Sequence, residues 1–235
     1  METKRIKNIF SIGYRCNVDD MLNDMGLRKQ SSPFSYMVID CKTALNFIEN
    51  KFEDYVDQFL YVDNNRYHFK WCENIWGRHL FFNKKNLKEV KNIQINEWDS
   101  VCVHNHHDLR NPQIKLSMKN RCNRLLYILN KKPDTLLLFC IDKIAVNYED
   151  TLQRINLIDK FVNKYLCNFL FLIPILNYSE KPKLVKYSDK INIIYFKSFN
   201  EGNGTAYSDE RIEWNLIKNY INNLYKFELE EKIEL

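Results

Sequence analysis

Along this chain, short apolar runs are divided by longer stretches in which apolar residues recur every third or fourth position. Five runs are rich in β-branched and large apolar residues: "NIFSIGY" (8–14), "DSVCVHN" (99–105), "TLLLFCI" (135–141), "NFLFLIPIL" (168–176) and "INIIYF" (191–196). In most of them three or more apolar residues are adjacent, the pattern of a strand covered on both faces. Helical patterns lie between the last four. "KLSMKNRCNRLLYILNKK" carries Leu116, Arg121, Leu125, Ile128 and Leu129 at helical spacing. "YEDTLQRINLIDKFVNKYL" opens on acidic residues and puts Leu152, Ile155, Ile158, Phe161, Val162 and Leu166 on one face. A last amphipathic helix is expected at about 209–225. Strands alternating with helices predict an α/β fold: a three-layer, doubly wound, mostly parallel sheet of about five strands, with the first strand central.

Residues 28–97 interrupt that alternation. "CKTALNFIENKF" has a helical period, whereas "YVDQFLYVDNNRYHFKWCENIWGRHLFF" is aromatic-rich and predicts short strands or a hairpin around "DNN". The segment is expected to be a cap-like insertion over one sheet edge, within a single domain spanning 1–235. No internal repeat or low-complexity linker divides the chain.

Composition narrows the function classes. The chain is 45% hydrophobic, 14% aromatic and 28% charged, which places it among globular proteins and not among disordered ones. Lys and Arg exceed Asp and Glu by 35 to 30, without a basic run of the nucleic-acid type. No nucleic-acid partner is expected, and an anionic small molecule fits the mild positive balance. The seven cysteines form no Cys-x-x-Cys pair, and several sit inside apolar runs, as reduced thiols do. That usage predicts a cytoplasmic location and no disulfide. "METKRIKNIF" lacks the apolar segment of a signal peptide, and no apolar stretch reaches the roughly 18 residues of a membrane span.

Two features fall where ligands bind in an open parallel sheet, beyond the carboxyl ends of the strands. Cys16 follows the first run and opens a helix whose first turn holds Asp19 and Asp20. Orphan N–H groups and the helix dipole there favour thiolate, while the two carboxylates oppose it. A small buried cysteine under the sheet is the competing reading. The second feature is "VCVHNHHDLRNP" (101–112), in which His104, His106 and His107 are followed by Asp108. Side chains alternate along a strand, so these histidines cannot all face the core. A cysteine and a histidine from separate strand ends make the nucleophile–base pair of acyl transfer. Clustered histidines can also hold a metal, but a single adjacent carboxylate and no second ligand motif argue for none. Arg121 and Arg124 lie three apart on one helix, where they meet a phosphate or carboxylate or else form a solvated face. Asp209 and Trp214 stand at the start of the last helix, Asp209 as its N-cap or as a late acid that orients a histidine.

Four blocks in order resemble a known family: "SIGYRC", "LRKQSSPFSYMVID" (27–40), "HNHHD" before "RCNRLLYIL", and "SDERIEW". They are similar to the bacterial and viral proteins known as putative papain-like cysteine peptidases. The most specific parts are a small residue, Gly, two residues and Cys, followed by Ser-Pro-Phe-Ser and an aromatic, here Tyr36 where Trp is common. The resemblance implies Cys16 as nucleophile and His107 as base, with His106 the runner-up and Asp108 or Asp209 orienting it. Gly13, Ser35, Tyr36, Arg121, Arg124 and Trp214 are expected to border the substrate. A looser similarity runs to SGNH/GDSL hydrolases and to capsule-biosynthesis acyltransferases that use coenzyme A.

The expectation is therefore a cysteine-nucleophile enzyme, hydrolase or acyltransferase, acting on a glycan or other polar small molecule, or a peptidase with the same chemistry. No cofactor is expected, save coenzyme A for an acyltransferase. The rival expectation is a non-catalytic module that binds an anionic or sugar ligand. Reactivity of the Cys16 thiol separates the two.

Overall fold

The computed structural model describes residues 3–13, 17–57, 59–63, 79–83, 102–104, 107–141, 148–176, 181–198 and 212–233. In chain order the elements are β1 (Lys4–Ile6), β2 (Asn8–Ser11), α1 (Asn17–Asp24), β3 (Val38–Ile39), α2 (Cys41–Glu49), β4 (Phe59–Asp63), β5 (His79–Asn83) and β6 (Cys102–His104). They continue with α3 (Pro112–Lys131), β7 (Thr135–Cys140), α4 (Tyr148–Tyr165), β8 (Asn168–Leu176), β9 (Lys183–Lys186), β10 (Ile191–Ser198), α5 (Trp214–Leu224) and β11 (Tyr225–Phe227).

The main sheet has five strands in the order β2-β7-β8-β10-β9. All neighbours are parallel except β9, which runs antiparallel to β10 along one edge. The α/β expectation of a five-stranded, mostly parallel sheet therefore holds, with two corrections to its membership. Strand β2 ends the row of described strands and is not central. The run at 99–105 is not in this sheet at all. Its β6 pairs antiparallel with β3 and β5 in a separate sheet of order β3-β6-β5-β4. An apolar run of three residues states no pairing partner, and local pattern cannot distinguish the two sheets.

Alternation along the parallel strands divides the core in two. Leu137, Phe139, Phe169, Phe171, Ile173 and Ile193 join one cluster with residues of α2, α3 and α4. Their sequence neighbours Leu136, Leu138, Leu170, Leu172 and Ile194 join a second cluster with residues of α1 and α5. At about 25 cal/mol per Å² of apolar surface removed from water, such two-sided burial dominates the stability of the fold. Pro174 lies past the last β7–β8 partner pair, Cys140–Leu172, where β8 pairs with β10. A residue without an N–H is tolerated there.

The α3 stripe is rotated from the one expected. Met118, Cys122, Leu125, Ile128 and Leu129 enter the core, while Leu116 is 60% exposed. On α4, Leu152 is likewise exposed and Ile155, Ile158, Phe161 and Val162 are buried. Helix α5 starts at Trp214 with Glu213 at its N-cap, so its start differs from the one expected at Asp209. Phe34, Ile39, Leu45, Ile48 and Tyr55, all within 28–97, belong to the first core cluster. Strands β4 and β5 form an antiparallel pair in that segment, joining 59–63 to 79–83, and the turn expected at "DNN" lies largely outside the described residues. Among the described residues, no helix is long and apolar enough to cross a membrane.

Candidate functional site

Gly13, two residues past β2, has φ +106°. A Cβ there would stand 2.7 Å from Ile39 Cγ2 and 2.9 Å from the Ile39 carbonyl oxygen. Only glycine satisfies both the backbone angle and the close approach. Ile39 of β3 is in turn the register partner of Cys102 in β6. Through this one residue of β3 the exit of β2 meets the start of β6, although the two strands belong to different sheets.

The "SSPFSY" block locks this joint. Ser32 Oγ donates to the Ser11 carbonyl at the end of β2 and accepts the Phe34 N–H at 2.9 Å. Ser35 Oγ is buried and accepts the Ser32 N–H at 3.0 Å. Tyr36 takes a left-handed φ of +61°, sparsely populated for a side-chain-bearing residue. Its N–H donates to Asp19 Oδ2 at 3.0 Å, binding the turn to the first turn of α1. Asn23 Nδ2 donates to the Tyr36 hydroxyl at 2.9 Å, and the Arg28 guanidinium carbon lies 4.7 Å from the ring centroid.

Asp19 is 1% exposed, and its Oδ1 meets Arg28 Nε at 3.1 Å. Sequence reasoning set Asp19 against a thiolate at the start of α1. In the fold its charge is already matched by a guanidinium, so that opposition is much reduced. Arg28 carries no sequence signal of this role, since its spacing from Asp19 follows no helical or strand period. The ordinary preference for Asp in a first helical turn conceals the ion pair.

His107 stands three residues past β6, just before the turn that opens α3. Asp108 closes that turn: its carboxylate accepts the Arg110 N–H at 3.0 Å and the Arg110 guanidinium at 2.9 and 2.8 Å. Asn111 then caps α3, its Oδ1 accepting the Gln113 N–H at 2.9 Å, with Pro112 at the first helical position. His107 lines a cavity of about 210 Å³ together with Ser117, Met118 and Arg121 of α3. Burial, followed by the neighbouring Arg28 guanidinium, pushes the Arg121 pKa below its usual value. Asp19 also acts on Arg121, in the opposite sense, so the α1 turn, Arg28 and Arg121 share one electrostatic neighbourhood.

The structure thus gathers Gly13, Ser35 and Tyr36 at the β2–α1 joint and His107 with Arg121 at the β6–α3 joint. Arg124 is 6% exposed and donates to the Ser31 carbonyl at 3.2 Å, so it belongs to the same wall and not to a solvated face. Trp214 is set apart. It is 6% exposed, packs on Phe196 at 5.4 Å and belongs to the second core cluster. Cys16, His106 and Asp209 lie outside the described residues. Cys41, Cys122, Cys140 and Cys167 are buried thiols outside any disulfide.

No curated protein and no solved structure matches the chain. One family model does match, over residues 7–178, and this range contains β2, the "SSPFSY" turn, His107 and Arg121. The chain belongs to the family described as putative papain-like cysteine peptidase.

Proposed function

We propose that the protein is a cysteine hydrolase of the acyl-transfer class, with Cys16 as nucleophile and His107 as base. One observation carries the reading: Gly13, three residues before Cys16, packs on Ile39 of β3, whose register partner Cys102 opens β6, the strand that leads to His107. Three residues of chain reach about 10 Å, enough to bring a thiol and an imidazole together across that joint. Membership of the family supports a peptide or other amide as the bond cleaved. Separate core clusters on the two sheet faces support the three-layer, doubly wound reading of the fold that carries the site.

In this reading His107 takes the Cys16 thiol proton and the sulfur adds to the amide carbonyl carbon. The oxyanion is met by backbone N–H groups near Gly13 and the start of α1. His107 returns the proton to the leaving amine, and the C–N bond breaks to give a thioester. His107 then deprotonates water, which adds to the thioester; the C–S bond breaks, and the carboxylic acid and thiol are released. A sugar hydroxyl in place of water makes the same site an acyltransferase. Asp19 does not oppose the thiolate, because Arg28 already matches its charge.

The test is the rate of iodoacetamide labelling of the native chain as a function of pH. The expected result is one fast thiol whose profile titrates well below an ordinary cysteine, absent in Cys16→Ala and moved towards alkaline pH in His107→Ala. A profile without a fast acidic thiol, or a fast phase that survives Cys16→Ala, would leave the non-catalytic binding module standing instead.

A further inference from the structure

Beside the His107 cavity, and sharing Gln113, Ser117 and Arg121 with it, runs a larger one of about 630 Å³ between α3 and the loop at 29–31. That volume is ample for a small organic ligand. Among the described residues its wall carries four cationic side chains, Lys29, Arg121, Arg124 and Lys232, and no carboxylate. Leu116 is its one apolar member, so the cavity suits a polar ligand and not a greasy one.

Arg121 distinguishes this wall from an ordinary basic surface. It is half-buried, lies within the field of a second guanidinium at Arg28, and among the described residues has no hydrogen-bond or ion-pair partner. The carboxylate in its field, Asp19, is already bound to Arg28, so a partly desolvated Arg121 gains from an added anion. A second polar group on the same wall is incomplete too. Gln30 is 8% exposed, and its carboxamide oxygen has no hydrogen-bond partner. On the α3 face the carboxamides and hydroxyl of Gln113, Ser117 and Asn120 precede the cations Arg121 and Arg124. This is the chemistry of a phosphate site flanked by groups that read hydroxyls.

We propose that this cavity binds a phosphorylated, hydroxyl-bearing small molecule, its phosphate held between Arg121 and Arg124 and its hydroxyls facing the carboxamides of α3. Lys29 and Lys232, both exposed, supply attraction at the mouth. The bound molecule would extend towards His107 through the shared wall. The site is argued from Arg121, Arg124 and Gln30, so it does not depend on Cys16 being a nucleophile.

The test is calorimetric titration of the full chain, in buffer free of phosphate and sulfate, with glucose 6-phosphate, inorganic phosphate and glucose. Saturable binding is expected for glucose 6-phosphate, weaker binding for inorganic phosphate, and none for glucose. Arg121→Gln should weaken glucose 6-phosphate at least about tenfold, the size of a lost charged hydrogen bond. Lys164→Gln makes the same charge change at an exposed pair with Glu49 and should leave the affinity unchanged. Should Arg121→Gln fail to fold, Lys29→Gln at the exposed mouth should still weaken binding by about threefold through the lost long-range attraction. No saturable binding by about 10 mM, or wild-type affinity in both cavity variants, overturns the site. Equal affinity for inorganic phosphate and glucose 6-phosphate overturns the organic ligand. Cys16→Ala should bind as wild type does, so failure here and failure of the hydrolase reading are told apart.

Discussion

Two arginine–carboxylate clusters of the molecule are built differently. At the first, Asp40 caps α2 by accepting the Lys42 N–H at 2.8 Å, and its other oxygen accepts Arg154 Nε at 3.1 Å and Nη2 at 3.0 Å. Both side chains are buried, and the pair joins α2 to α4. At the second, Asp19 meets Arg28 at 3.1 Å and the Tyr36 N–H at 3.0 Å, while Arg121 adds a further positive charge to the same neighbourhood. The first cluster is a closed clamp in which each charge finds its opposite. The second carries surplus positive charge and opens on a cavity. A fold that only needed stability would close both. That difference supports the proposed site on the α1–α3 side.

That contrast is broken most severely if activity and stability fail to separate between the two clusters. Cys16→Ala should reduce turnover of a cleaved amide or ester by at least about 10³-fold, with the melting temperature unmoved. His107→Ala should lose a comparable rate, and the double variant should be no worse than either single one, because nucleophile and base act as a unit. His106→Ala should be milder. An essential His106 and a dispensable His107 would exchange their roles without changing the chemistry.

Arg154→Met tests the other cluster. Removing one partner of a buried pair leaves the other charge uncompensated, so a loss of about 3–5 kcal/mol is expected by denaturant unfolding. Replacing both partners, as in Asp40→Leu with Arg154→Met, should recover much of that loss. The rate per folded molecule should stay that of the wild type. A catalytic defect without a stability defect would contradict the clamp.

Asp19→Asn is intermediate. It keeps the shape of the side chain but uncouples Arg28 and weakens the bond from the Tyr36 N–H, for about 1–3 kcal/mol. It should also lower the rate, since the Tyr36 turn braces the β2–α1 joint. Arg121→Gln should move stability by no more than about 0.5 kcal/mol, as for a substitution that breaks no partner. A destabilisation by Arg121→Gln as large as that of Arg154→Met would erase the distinction between the clusters.

The parallel sheet was legible because β7, β8 and β10 are buried on both faces and so read as continuous apolar runs. Period alone recovered the core residues of α4 from Ile155 to Val162. What local pattern could not carry was partnership. Strand β6 looks like its parallel counterparts, yet pairs with β3 and β5, because hydrogen-bonding neighbours are chosen by tertiary packing. Gly13, Ser35 and Tyr36 were legible as a motif, but their function as a brace was not. The brace consists of long-range bonds, Ser32 to Ser11 and Tyr36 to Asp19, that leave no periodic trace. Arg124 read as an anion contact or half of a solvated pair, and it is buried, because the α3 stripe is turned relative to the one that Leu116 suggested. Trp214 shows the reverse error: an aromatic at a helix start suggested ligand contact, and the fold uses it to fill the space over Phe196.

The smallest effect expected concerns the thiols on the clamp side. Cys41 adjoins Asp40, and burial first and that carboxylate second push its pKa well above the ordinary thiol value. Burial pushes the Cys167 thiol up to about 12 from a reference of 9.0. Both stay protonated in the folded chain at neutral pH, so neither should contribute to iodoacetamide labelling between about pH 6 and 8.5. The linkage has a definite sign. Below the unfolded value near 9, folded and unfolded chains both hold the Cys167 proton, and its titration leaves stability flat. Between about 9 and 12 the unfolded chain releases that proton first, so stability falls as pH rises through this window. Cys167→Ala should remove this contribution to the alkaline loss without altering the fast labelling phase assigned to Cys16. A fast phase that disappears in Cys167→Ala or Cys41→Ala would place the reactive thiol beside the clamp, and the contrast between the two clusters would collapse.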